Sequence, residues 1–135
     1  MVMKARFSVS IHTDENEKFF GEGPYQLLRG IQRLGSLRAA AKDMNMAYTK
    51  AFRVMKRAEK CCGFPLCRKK IGGEGGGGSV LTPEAEKLMA QYVAFKAACS
   101  DEIDQLYEQY FSDIWPEKVN SDQAGEEARR PVGSS

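Results

Sequence analysis

The chain has 135 residues, 42% of them hydrophobic, and a formal net charge of +2, which is material for one domain with a modest core and too short for two of ordinary size. No apolar run approaches the roughly 20 residues of a membrane span, and the N-terminus lacks the long apolar core of a signal peptide, so the sequence reads as cytoplasmic with no membrane partner. Four cysteines, at positions 61, 62, 67 and 99, then sit in a reducing compartment, where disulfides do not persist.

Residues 4–13, KARFSVSIHT, alternate, with Ala5, Phe7, Val9 and Ile11 on one face and Arg6, Ser8, Ser10 and His12 on the other. That period of two predicts a half-buried strand, ended by a turn over residues 14–18. Residues 24–34, PYQLLRGIQRL, predict a helix with proline at its first position, Leu27, Leu28, Ile31 and Leu34 facing inward, and Gly35 as its stop.

Residues 36–59, SLRAAAKDMNMAYTKAFRVMKRAE, read as two short helices joined by a tight turn. Ser36 is placed to cap the first, because its hydroxyl can accept an orphan backbone N–H of the opening turn. Leu37, Ala40, Ala41 and Met44 then share one face, and the small side chains of residues 39–41 permit close helix contact. Asn45, tolerant of a left-handed backbone, and Met46 form the turn. In the second helix, from about Ala47, the inward positions are Ala51, Met55, Ala58 and Cys62, with Val54 at the margin. Tyr48, Thr49, Phe52, Arg53 and Lys56 are left on the opposite face.

Gly63 predicts a C-cap and Pro65 prevents continuation, so residues 66–71 turn into a strand. Glycines at 72, 73, 75, 76, 77 and 78 surround Glu74 before a returning strand at residues 79–81. Such a run weakens any fixed conformation and lets the backbone approach a sugar-phosphate surface closely. The expectation is a wing with a mobile tip that orders on a nucleic acid. Thr82, Pro83 and the acids at 84 and 86 form a helix start, and no breaker follows until about Ser112. A helix of about thirty residues spans about 45 Å, more than a three-helix core can cover. Along it Leu88, Tyr92, Phe95, Cys99, Ile103, Leu106 and Tyr110 recur at steps of three and four, a stripe suited to packing against a second copy. Its first half is also expected to meet the chain's own first strand and helix. Trp115 closes the ordered part by packing back, and residues 116–135 read as a disordered polar tail.

Chemistry fails at each place it is invited. His12 is the one histidine and has no cysteine or histidine at metal-ligand spacing. Cys61, Cys62 and Cys67 form no C-x-x-C pair, so packing is expected of them rather than metal binding or redox sensing. Gly73, Gly75 and Gly78 spell G-x-G-x-x-G, but that fingerprint must open a helix directly and be followed about 20 residues on by an acid, where this chain has Val93. No Ser-His-Asp, Cys-His or paired-carboxylate constellation is present, so no enzyme, metal or cofactor is expected.

Charge points elsewhere. Residues 36–71 carry ten lysines and arginines against Asp43 and Glu59, a net +8 in a chain that is +2 overall, which is the electrostatic footprint of a polyanion-binding surface. On the exposed helix face Arg53 suits guanine O6 and N7, Phe52 a thymine methyl, and Lys50, Lys56 and Arg57 suit phosphates. Ser36, Arg68, Lys69, Lys70, Gly75 and Gly76 complete the expected backbone and wing contacts, with Arg29 or Arg33 in reach of backbone or solvent. The last long helix carries six acids against Lys87 and Lys96 and is expected to face away from DNA.

Three landmarks carry a family resemblance: AAAKDMNMAYTKAF in the helix pair, the Phe64-Pro65-Leu66-Cys67-Arg68-Lys69 entry to a strand, and IGGEGGGGSVLTPEAEKL from residue 71 to residue 88. Over roughly residues 4–112 the chain resembles the DNA-binding domain of the ModE-type molybdate-responsive transcriptional regulators, which are related to LysR-type winged helices. It departs from them at Ala47, where these families usually place a capping Ser or Thr, and the molybdate-binding domains are missing from its 135 residues. The resemblance implies a sequence-specific regulator of molybdenum-related genes whose signal comes from a separate effector-binding chain, another ligand, or nothing.

The expected fold is mainly α with a small β component: a winged helix-turn-helix of three core helices and a β wing, with an N-terminal strand and a long C-terminal dimerisation helix. Residues 1–115 form the domain, and double-stranded DNA and a second copy of the chain are its partners. The competing expectation is a protein-interaction or metal-handling module that kept this fold without specific DNA binding.

Overall fold

The computed structural model describes residues 1–71 and 77–116. They fall into two compact units, Val9–Phe95, and Met1–Ser8 together with the chain from Lys96 onward.

The larger unit begins with a hairpin. Strand β1 (Ile11–His12) pairs antiparallel with β2 (Lys18–Phe20), Ile11 opposite Phe20 and His12 opposite Lys18. Thr13 ties the turn, its hydroxyl accepting the Glu17 N–H at 3.1 Å, and Asn16 takes a left-handed backbone. The ten-residue strand expected from alternation is thus reduced to two paired residues, because its partner is three residues long and the register slips between Ile11 and His12. The alternation survives in burial over residues 9–12, where Val9 and Ile11 pack against the core while Ser10 and His12 are exposed, but Phe7, expected on the inward face, is 38% exposed. The second strand takes Lys18 out of the expected turn and buries Phe20 completely.

Helix α1 (Glu22–Leu34) starts before Pro24, which lies within the first turn, where its missing N–H has no partner to lose. Gly35 ends it at φ 85, its N–H bonding the Ile31 carbonyl. Leu27, Leu28 and Ile31 are buried as their spacing requires, but Leu34 is 45% exposed, since the chain turns at the residue after it. Helix α2 (Leu37–Asp43) follows, with the Ser36 hydroxyl accepting the Ala39 N–H at 3.0 Å. Asn45 adopts φ 54 in the turn, and Met46 donates its N–H to the Ala41 carbonyl at 2.8 Å and packs on the core. Helix α3 (Tyr48–Cys62) buries Ala51, Met55 and Ala58 and stops at Gly63. Cys62, read as inward, is only half-buried.

Strands β3 (Cys67–Lys69) and β4 (Ser79–Leu81) form the wing, with Arg68 opposite Val80 and Lys69 opposite Ser79. Backbone bonds fasten it to the helices. The Ser79 N–H donates to the carbonyl of Gly35 at 2.8 Å, and the Thr82 N–H to that of Leu66. The buried Thr82 hydroxyl donates to the Pro65 carbonyl at 2.8 Å and accepts the Ala85 N–H, capping α4 (Pro83–Phe111). The expected mobile tip, with Gly75 and Gly76, and the expected disordered tail from residue 117 lie outside the described residues.

Ala85, Met89 and Tyr92 bring the first part of α4 into the core. The Tyr92 ring stands edge-on to Phe20 with centroids 5.2 Å apart, lies 5.3 Å from Tyr25, and its hydroxyl donates to the Val9 carbonyl at 3.3 Å. Three helices, a β wing and a long final helix make this a winged helix-turn-helix. In the smaller unit Phe111 lies 5.4 Å from Tyr107 and stacks on Trp115 at 5.6 Å, so the tryptophan packs back as expected. No helix of the described residues is long and apolar enough to cross a membrane.

Helices α1 and α2 meet closely at Gly30, where an added Cβ would come 2.5 Å from the Ala40 Cβ and 3.0 Å from its Cα. Helix propensity alone predicts that Gly30→Ala stabilises α1 by about 1 kcal/mol. Contact at this distance predicts the opposite sign, a loss of about 1–3 kcal/mol on chemical denaturation, and a gain would show that the two helices can separate freely.

Candidate nucleic-acid interface

The exposed surface of α3 divides into three lanes, each set by the neighbour on its flank. Beside α2 lie Tyr48 and Phe52, 38% and 44% exposed, with rings 6.2 Å apart. Arg38 of α2 sits 4.3 Å over the Tyr48 ring and Lys56 5.3 Å over that of Phe52, so both aromatics are covered by cations that hold them in place. The middle lane carries Thr49 and Arg53, both exposed. The third lane, Lys50, Val54 and Arg57, runs beside the hairpin, where Arg57 comes 3.9 Å from Glu17.

Two acids organise these cations. Glu59 accepts the Leu66 N–H at 2.8 Å with one carboxylate oxygen and meets Lys56 at 3.5 Å with the other, linking the end of α3 to the strand that enters the wing. Asp43 takes Arg33 at 3.2 Å, an exposed pair that turns Arg33 toward α2. Lys42 and Asn45 face an open concavity of about 450 Å³ at the start of α3, together with Arg38 and Tyr48. On the wing Arg68, Lys69 and Lys70 are all exposed.

Ser36 stands apart from the other residues assigned to backbone contacts. Its oxygen caps α2 as an acceptor and it is half-buried, so it serves the fold while its O–H remains a donor. Tyr92 leaves the expected self-association stripe for a similar reason, being 3% exposed in its own chain's core, and Leu88 packs partly against that core. Of the rest of the stripe, Phe95, Leu106 and Tyr110 are 52%, 46% and 67% exposed and Cys99 and Ile103 half-buried. Phe111 and Ile114 add exposed apolar surface outside the stripe.

Two of the four cysteines, Cys62 and Cys67, are held toward the thiol. Burial first, and then the nearby Glu59 carboxylate, push the Cys67 thiol up, with Lys56 pulling the other way; burial, Cys61 and Glu59 raise Cys62. Both shifts disfavour the thiolate that metal binding and oxidation require. The described residues contain no group of three or more His, Cys, Asp and Glu side chains that could hold a metal ion, and His12 lies with its Nε2 2.8 Å from the Ser10 hydroxyl.

Sequence spacing found the α3 face and missed what supports it. Arg38 over Tyr48, Glu59 under Leu66 and Glu17 beside Arg57 join segments whose meeting no periodicity announces.

No family model matches the chain. Among curated proteins, it is 39% identical over 71 residues to the molybdenum-pterin-binding protein MopB of Rhodobacter capsulatus, an alignment covering 53% of this chain and 26% of that protein. It is 37% identical over 67 residues to the transcriptional regulator ModE of Haemophilus influenzae, covering 50% and 26%. Over 83 residues it is 31% identical to the molybdenum transport protein ModE of Azotobacter vinelandii, covering 62% and 31%. The chain therefore spans about a quarter to a third of the length of these relatives.

At the start of α3, Ala47 has an extended backbone and makes no side-chain cap. That backbone accepts a hydroxyl residue, so Ala47→Ser is expected to raise stability by about 0.5–1 kcal/mol in a denaturant titration. No change would mean that the first N–H groups of α3 are already satisfied by other partners.

Proposed function

We propose that this chain, related over about half its length to the ModE-type regulators, is a sequence-specific DNA-binding transcriptional regulator that acts by binding and not by catalysis. The observation that carries the reading is the exposed face of α3, where two cation-covered aromatics, Thr49 and Arg53 stand together on a helix whose opposite residues Ala51, Met55 and Ala58 are buried. In this reading α3 enters the major groove. Arg53 donates to guanine, Phe52 and Tyr48 meet base edges and methyl groups, and Lys50, Lys56 and Arg57 hold phosphates. Arg68, Lys69 and Lys70 take the neighbouring backbone.

The active form is a homodimer in the cytoplasm. Exposed Phe95, Leu106 and Tyr110, with Cys99 and Ile103 between them, support self-association through the later part of α4, which would present two recognition helices to successive major grooves about 34 Å apart on a two-fold-symmetric site. Two of the relatives, a molybdenum-pterin-binding protein and a molybdenum transport protein, support control of molybdenum-related genes. Residues 1–115 constitute the DNA-binding domain with its dimerisation helix.

Selection from a pool of random duplexes across a salt series tests this directly. The expected result is an enriched two-fold-symmetric motif with a steep salt dependence; retention without a motif, or no retention, favours a non-specific binder or an interaction module. With the motif in hand, Arg53→Ala is expected to lose about 1–3 kcal/mol of discrimination at one base pair, while Lys69→Ala weakens binding to all sequences alike. Equal losses for both variants on selected and random DNA would contradict this division of roles.

A further inference from the structure

We infer that the β1–β2 hairpin is a further DNA-contacting element, with one backbone phosphate seated between Lys18 on β2 and Lys50 and Arg57 on α3. The inference rests on the DNA-binding reading of α3 and extends it to a part of the fold outside the helix-turn-helix and the wing.

Lys50, Val54 and Arg57, at steps of four and three, form the lane of α3 that borders the hairpin. With Lys18, Phe19 and Met46 they line a cavity of about 290 Å³. Three cations from two elements distant in sequence thus ring one hollow, and its apolar wall is supplied by Phe19, Met46 and Val54. Like charges gathered around low-dielectric walls repel one another in the free protein and focus a positive field into the cleft. A phosphodiester answers each feature of the lining. It carries one negative charge, its two free oxygens accept from more than one cation, and its sugar edge lies against apolar atoms. The lane is also continuous around the helix with Arg53, so a duplex held by the central lane presents its backbone on this side.

Glu17 makes the site regulated. Its Oε1 lies 3.9 Å from the Arg57 Nε, within ion-pair reach. Seating a phosphate therefore exchanges one anion for another at Arg57, and Glu17 acts as a built-in competitor that weakens binding to every sequence. Lys18 and Glu17 should then have effects of opposite sign, although they are neighbours on an exposed hairpin.

The test is a salt series on the full chain with a short duplex of random sequence, for the native protein and for Lys18→Ala, Lys18→Arg and Glu17→Gln. Removing one phosphate contact lowers the slope of log K against log salt concentration by about 0.9, so Lys18→Ala is expected to show that decrease, Lys18→Arg to keep the native slope, and Glu17→Gln to bind more tightly than the native chain. An unchanged slope in Lys18→Ala, or unaltered affinity in Glu17→Gln, while the native protein binds with a steep slope, overturns the hairpin contact and leaves the role of α3 standing. Failure of the native protein to bind any duplex overturns the reading of α3 and the hairpin contact with it.

Discussion

The contact of Gly30 with Ala40 leaves no room for a methyl group between α1 and α2, and the placement of α3 and the wing follows from it. With those helices pressed together, the turn at Asn45 and Met46 delivers α3 onto their shared face, where Ala51, Met55 and Ala58 complete the core with small or flexible side chains. The carbonyl of Gly35, at the end of α1, then receives the Ser79 N–H of the wing. Helix α3 and the wing are thus attached to the same helix pair by packing and by backbone hydrogen bonds. The cations take little part in holding the fold, and most remain exposed on its surface.

Local signals in the sequence translated faithfully. Ser36 caps α2, Asn45 turns left-handed, Gly35 and Gly63 end their helices, and residues 79–81 return as a strand, because each of these depends on a few adjacent residues and their intrinsic backbone preferences. Elements decided by distant partners were not legible. The Lys-Phe-Phe of β2 is too short to show a period, and its existence depends on Ile11 lying opposite. Leu34 fits the apolar spacing of its helix, yet the turn at Gly35 leaves it open to water.

The long helix shows why periodicity cannot assign a partner. Steps of three and four identify an apolar face but not what covers it. Tyr92 lies on the expected stripe and is claimed by Phe20, Tyr25 and the Val9 carbonyl of its own chain, whereas Phe95, three residues on, is exposed. The candidate interface shows the same division. The α3 face was visible as a helical pattern, while the residues that orient it, Arg38, Glu59 and Glu17, come from other segments or act across the helix end. Net charge concealed the interface further, since the basic segment is offset by acids of the last helix in a chain of +2.

The central claim is that one face of this small domain, α3 with its flanking strands, meets DNA. Mapping backbone amide chemical shifts during titration with a retained duplex tests it most directly. The changes are predicted to concentrate in residues 48–57 and 67–70, with the later part of α4 little altered. Changes confined to residues 96–115, or none at saturating duplex, would contradict the claim.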